Sequence, residues 1–201
     1  NILNMLDLAG LPLLTCERRS DQPFIIAGGT GAYNVEPMAD FLDLVVLGDG
    51  EEALVELLDA YRAWQRAGGS RQDFLIAAAG IAGVYVPSFY RAEYDALGRL
   101  LATAPAHPAA PARVRRRLID PLPPAPVRPV VPSIQTVPDR AMIEIQRGCT
   151  QGCRFCQAGI LYRPVRERSA DEIVQTADAL IRNTGYGELG LLSLSSADHS
   201  P

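Results

Sequence analysis

Nine prolines fall between Ala102 and Pro132, and this stretch constrains the fold more than any other part of the chain. Proline lacks an amide hydrogen and its ring obstructs a helix, so neither a helix interior nor a central strand can run through such a segment. Residues 102–132 therefore read as a linker between an N-terminal region and a shorter C-terminal one. Inside the linker, RVRRR at 113–117 is a basic run. A solvated charge run explains it more simply than a nucleic-acid patch, and a formal net charge of −4 offers phosphate no general attraction. Nucleic acid is thus an unproven partner. With 48% apolar and 21% charged residues the chain suits folded domains. No apolar run approaches the roughly 20 residues of a membrane span, and no leader pattern opens the chain, so the expectation is a cytoplasmic protein with no membrane partner. The start at Asn1 on a helix-like stretch, and the end at Pro201 after a strand-like one, read as a fragment.

The N-terminal region alternates helical and extended patterns. NILNMLDLAGLPLL places Ile2, Leu3, Leu6, Leu13 and Leu14 at largely helical spacing, and FIIAGG is a short apolar strand ending at Gly28 and Gly29. A short helix, a buried strand at Leu44 to Leu47, a Gly-Asp-Gly turn and a long helix follow, the helix carrying Leu54, Leu57, Leu58 and Tyr61 on one face. Strands alternating with helices through glycine turns imply an α/β domain with a doubly wound parallel sheet over residues 1–66. Residues 67–101 form an extension that contains a β-hairpin with an Asp-Ala-Leu-Gly turn. Gly28 and Gly29 either let a cofactor tail approach the backbone or serve a tight turn, and Cys16 reads as a small apolar side chain, buried or half-buried.

Residues 133–201 open with AMIEIQRGC, a strand whose Ile143 and Ile145 alternate with Met142, Glu144 and Gln146. A helix follows from an N-cap at Ser169, with Glu172 completing a capping box and Gly185 ending it, and LGLLSLSS is the next strand. Between them QRGCTQGCRFCQAG crowds Cys149, Cys153 and Cys156, three of the chain's four cysteines, into eight positions. A disulfide staple suits an oxidising compartment and spread-out, even cysteines, which this chain does not offer. Structural zinc asks for a fourth ligand, and only Cys16, His107 and His199 are at hand elsewhere. A 4Fe-4S cluster on three thiolates leaves one iron open for chemistry.

RGCTQGCRFCQAG resembles the signature loop of the radical S-adenosylmethionine (SAM) superfamily, with the aromatic Phe155 directly before the third cysteine. ILYRPVRERSADEIV resembles the segment after the cluster in methylthiotransferase-like members, and AGG and VVLGDGEEAL resemble the second half of the cobalamin-binding domain that precedes many such barrels. The resemblance implies a partial cobalamin-binding-like domain followed by the start of a radical SAM (β/α) partial barrel. It further implies that Cys149, Cys153 and Cys156 ligate a 4Fe-4S cluster, that SAM chelates the open iron, and that reductive cleavage yields a 5'-deoxyadenosyl radical, with Phe155 against the adenine. A small electron donor of flavodoxin or ferredoxin type is the implied partner, and the substrate is unknown, with methyl or methylthio transfer among the reactions. Where the family has Gly-Gly-Glu for the SAM amino group, this chain has SLSSAD, so Ser195, Ser196 and Asp198 are the substitutes. Arg147 and Arg163 are candidates for the SAM carboxylate, and Gly28 and Gly29 for a cobalamin-like site. No histidine precedes His107, so the Asp-x-His-x-x-Gly cobalamin ligand is absent from these residues. The competing reading is a non-catalytic module, either an iron–sulfur electron carrier or a zinc-binding domain.

Overall fold

The computed structural model describes residues 1–134 and 137–200, which form two compact units, Asn1–Leu118 and Ile119–Pro201. Unit 1 opens with helix α1, Ile2–Leu8, which buries only Leu6. Strand β1 (Ile26–Gly28) pairs in parallel with β2 (Leu44–Val46), Ala27 opposite Val45. The chain crosses between them through 3-10 turns at Thr30–Asn34 and Glu36–Phe41, where Pro37 sits in the first turn and a short helix was expected.

Helix α2 (Gly50–Ala67) ends at Gly68, whose positive φ of 63° supplies a left-handed cap. Helix α3 (Arg71–Ala79) starts at once behind a capping box between Ser70 and Asp73. Two helices in succession return the chain to the end of the sheet from which it left, so β3 (Val84–Tyr85) meets β2 antiparallel and the sheet is mixed in the order β1-β2-β3. Within residues 1–66 the β1–β2 pair is parallel as expected, but β3, from the 67–101 extension, joins the same sheet antiparallel, so the sheet is not the purely parallel one of a doubly wound domain: one crossover helix gives a parallel strand, a helical pair does not.

Alternation along β2 sorts the core. Leu44 and Val46 face α2 and α3 with Ala53, Leu57, Phe74 and Val84, while Val45 faces Ala32, Val35, Leu42 and Tyr85 under the 3-10 turns. The buried stripe of α2 is Ala53 and Leu57, continued by the partly buried Ala60, Tyr61 and Trp64. Leu54 and Leu58, expected on that stripe, are about half exposed (47% and 52%). An ion-pair hub ties the domain's margins together. The buried Asp43 takes Arg18 Nη1 and Arg71 Nη2, each at 2.8 Å, and the amide of Ile25 at 2.7 Å.

Strands β4 (Tyr90–Tyr94) and β5 (Leu100–Pro105) form the expected hairpin, but β5 runs on through residues 102–105, which the sequence placed in the linker, because a two-stranded hairpin leaves an outer edge where Pro105 needs no amide hydrogen. The turn is fixed by the Asp95 side chain accepting from the amides of Leu97 and Arg99. Beyond it, the proline-rich chain lies on unit 1. His107 stacks on Phe89, Ala109 and Ala110 touch the first core cluster, and Val114 touches the second. Arg117 bridges β2's turn through its amide to Leu47 and its carbonyl to the amide of Asp49. Gly48 has φ of 100°, and a Cβ there would collide with the Arg117 backbone.

Unit 2 is built on β6 (Ala141–Glu144) and β9 (Leu189–Leu192), parallel and in register from Ala141↔Leu189 to Glu144↔Leu192. Between them come β7 (Gln146–Arg147), the short helix α4 (Ala158–Leu161), β8 (Arg166–Glu167) and α5 (Ala170–Thr184). Ile143 and Ile145 point to Leu180, while the intervening Glu144 takes the other face. Ser169 caps α5 by accepting from the Glu172 amide at 3.2 Å, but the Glu172 carboxylate takes Arg168 Nη1 in place of the reciprocal capping-box bond.

Candidate functional site

The cysteine loop is a closed loop with a defined neck. Antiparallel β7 and β8 pair Gln146 with Glu167 and Arg147 with Arg166, so residues 148–165 leave and return at one point. Gly148 makes that neck possible. Its φ is 99°, and a Cβ would stand 2.7 Å from the Tyr162 carbonyl oxygen and 2.9 Å from that of Pro164, so the strained conformation and the close approach both require glycine.

Within the loop Cys149 and Cys156 are half-buried, Cys153 is exposed, and all three are free thiols. Backbone amides address two of the sulfurs: Gln151 N–H points to Cys149 Sγ at 3.5 Å and Gly159 N–H to Cys156 Sγ at 3.4 Å. Gly159 is buried against the Cys156 sulfur, where a Cβ would sit 3.8 Å from it. Among the described residues no three Cys, His, Asp or Glu side chains are gathered as a ready-made metal-ligand set. The chemistry of the donors nonetheless fits an iron–sulfur cluster: three soft sulfur donors on one loop, with amide hydrogen bonds of the kind that tune cluster potential. Zinc would need a fourth donor besides these three. Cys16 lies exposed on a 3-10 turn of unit 1, against the expectation of burial, and His199 engages its Nε2 with the Arg168 carbonyl at 2.9 Å.

The other candidates fall into two groups. Phe155 projects from the loop, 92% exposed. Behind β9, Asp198 lies near Ser195 and near Gln151 of the cysteine loop, whose polar side chains hold its carboxyl below the usual carboxylate range, while its Oδ2 is buried with no hydrogen-bond partner among the described residues. Ser196 pairs with Ser193 at 2.8 Å. Sequence reading passed over Gln151, which carries no signal beyond lying between two cysteines.

The arginines are mostly engaged. Arg147 forms a two-pronged pair with Glu144 at 2.9 and 2.8 Å. Arg163 donates to the Gly159 carbonyl at 3.0 Å and so braces the loop. Arg166 and Arg168 are buried and donate to the carbonyls of Ile119 and Glu144. In unit 1, Gly28 and Gly29 end β1, and Gly29 has φ of 83° with open space where a Cβ would be, which suits the turn reading.

A family model described as the N-terminal region of radical SAM proteins matches residues 1–87, and one described as the radical SAM superfamily matches residues 143–199, including the cysteine loop, α5 and β9. The chain belongs to the radical SAM superfamily. A curated relative of this radical SAM chain, the uncharacterized protein MJ0966 of Methanocaldococcus jannaschii, is 33% identical over 58 residues, 29% of this chain and 13% of that protein. The match thus spans a small part of the relative's length. No solved structure matches the chain. No helix among the described residues is long and apolar enough to cross a membrane.

Proposed function

We propose that this radical SAM chain is part of an enzyme that cleaves SAM reductively, with Cys149, Cys153 and Cys156 as the ligands of a 4Fe-4S cluster. The observation that supports the reading is the three-cysteine loop at the end of β6 and β7, inside the segment that matches the superfamily. When bound, the cluster and SAM supply an electron and a 5'-deoxyadenosyl radical, chemistry that no side chain of this loop provides by itself. The chain's own residues do the holding. Gly148 and the β7–β8 pair close the neck of the loop, and the amides of Gln151 and Gly159 direct N–H dipoles at two of the thiols. Phe155 offers an exposed ring face for a purine. Asp198, whose carboxyl the nearby Ser195 and Gln151 keep below the usual carboxylate range, offers a negative charge to the SAM ammonium.

The reaction that follows SAM cleavage, methyl or methylthio transfer among the candidates, is that of the whole protein. A small flavodoxin- or ferredoxin-type donor would supply the electron, and a reducing cytoplasm suits four free thiols. A base-off cobalamin would find no histidine before His107 in unit 1.

The test is anaerobic reconstitution of the full-length protein with iron and sulfide. The expected result is about four irons per chain, a broad visible absorption band and 5'-deoxyadenosine formed from SAM under reduction. Cys149→Ala, Cys153→Ala and Cys156→Ala should each abolish both. Zinc without iron, or a full cluster that cleaves no SAM, would overturn the reading in favour of a zinc module or an electron carrier.

A further inference from the structure

The basic run at 113–117 is not a free-swinging linker. Val114 is turned into the core beside Val45 and Tyr85, and Arg117 is fixed by its backbone to Leu47 and Asp49 and by its guanidinium to Glu52 and Glu56. The chain between these anchors is held on unit 1, and it presents Arg113 and Arg115 to solvent on either side of the buried valine. Arg113, Arg115 and Arg116 make no ion pair or hydrogen bond with any described residue, in contrast to Arg117.

Beside them runs an open groove of about 420 Å³, lined by the turn from Ala79 to Val84, the Pro108–Pro111 stretch, and Arg113 to Arg115. Its lining is mainly apolar, with Ile81, Val84, Ala109 and Val114 among it, and it includes no carboxylate. Among the described residues, two guanidiniums are therefore the only charged side chains on its wall. A chain of net charge −4 that keeps three unpaired arginines together on an anchored segment offers a local site for polyanions, which the net charge obscures.

We propose that this strip and groove bind single-stranded RNA, with Arg113, Arg115 and Arg116 on successive phosphates and a nucleobase against the apolar wall. Arginine suits this partner because its planar guanidinium both forks onto phosphate oxygens and stacks on bases. A membrane surface would ask for apolar side chains projecting between the charges, and the intervening Val114 points inward. The inference concerns unit 1 and does not depend on the cluster.

The test is fluorescence anisotropy of the full-length protein with labelled oligouridine and oligoadenosine across a salt series. Three phosphate contacts to a single strand predict a slope of log K against log salt of about −2, and Arg113→Ala/Arg115→Ala should bring it to about −0.7, weakening both sequences alike. The thermal midpoint of that variant should match wild type, since neither side chain has a partner to lose. Absence of binding, or binding and slope unaffected by the double substitution, overturns the proposal. So does equal or tighter binding to phosphatidylserine vesicles, which would make the strip a membrane contact, or inorganic pyrophosphate competing at the affinity of the RNA, which would make it a small-anion site.

Discussion

Asp43 collects two guanidiniums and a backbone amide from three separate stretches of unit 1, and none of this is visible along the sequence, where it is one carboxylate beside an apolar strand. Removing it leaves the Arg18 side chain, which has no exposed surface, without its counter-charge. Asp43→Ala should therefore cost about 3–5 kcal/mol, measured by urea unfolding. Gln146 shows the opposite logic. Its side-chain amide is buried and neither Oε1 nor Nε2 has a partner among the described residues, so Gln146→Leu should leave the unfolding midpoint unchanged or raise it, because replacing an unsatisfied polar group by an apolar one removes its desolvation cost. The cysteines announced themselves in the sequence by number and spacing. Gly148 did not, since its necessity lies in the carbonyls of Tyr162 and Pro164, which only the folded loop brings beneath it.

Helices and strands were legible where local chemistry dictates them and illegible where packing does. Ser169 and Gly185 marked the limits of α5 correctly because caps are local. The buried face of α2 was misread because leucines at 54, 57 and 58 offer two overlapping stripes, and the aromatic cluster of Phe24, Tyr61, Trp64 and Phe74 selects the one through Leu57. Leu57→Ala should cost about 2–5 kcal/mol, whereas Leu54→Ala should fall within about 0.5 kcal/mol of wild type, both by denaturant titration. The N-terminus of α3 adds a pH dependence. The Ser70 hydroxyl and amide hold the Asp73 carboxyl below its ordinary value, so the stability this group lends is fully present above the unfolded carboxylate pKa of about 3.9 and lost as pH falls through the lower folded value. Amide exchange in α3 referenced to Asp73→Asn should show no difference in pH response between pH 7 and 5, and a narrowing gap below about pH 4.

At the scale of the molecule, an α/β chain divided by a proline-rich stretch was readable from composition and periodicity, and the β6-loop-α5-β9 order of unit 2 from its motif and caps. The mixed sheet of unit 1 was not, because strand direction depends on counting the helices between strands, and α3 hides behind a Gly-Gly-Ser break at 68–70 that reads as a loop. The division into units predicts a localised response to damage. In hydrogen-exchange mass spectrometry, Asp43→Ala should raise exchange in peptides from residues 1–118 and leave those from 137–200 near wild type. One consequence reaches beyond stability. Where Arg117 crosses Gly48, two strands of main chain touch with no room for a single added carbon, so in a saturation survey every amino-acid substitution at position 48 should be purged, while Gly31, with open space where a Cβ would be, accepts substitutions freely.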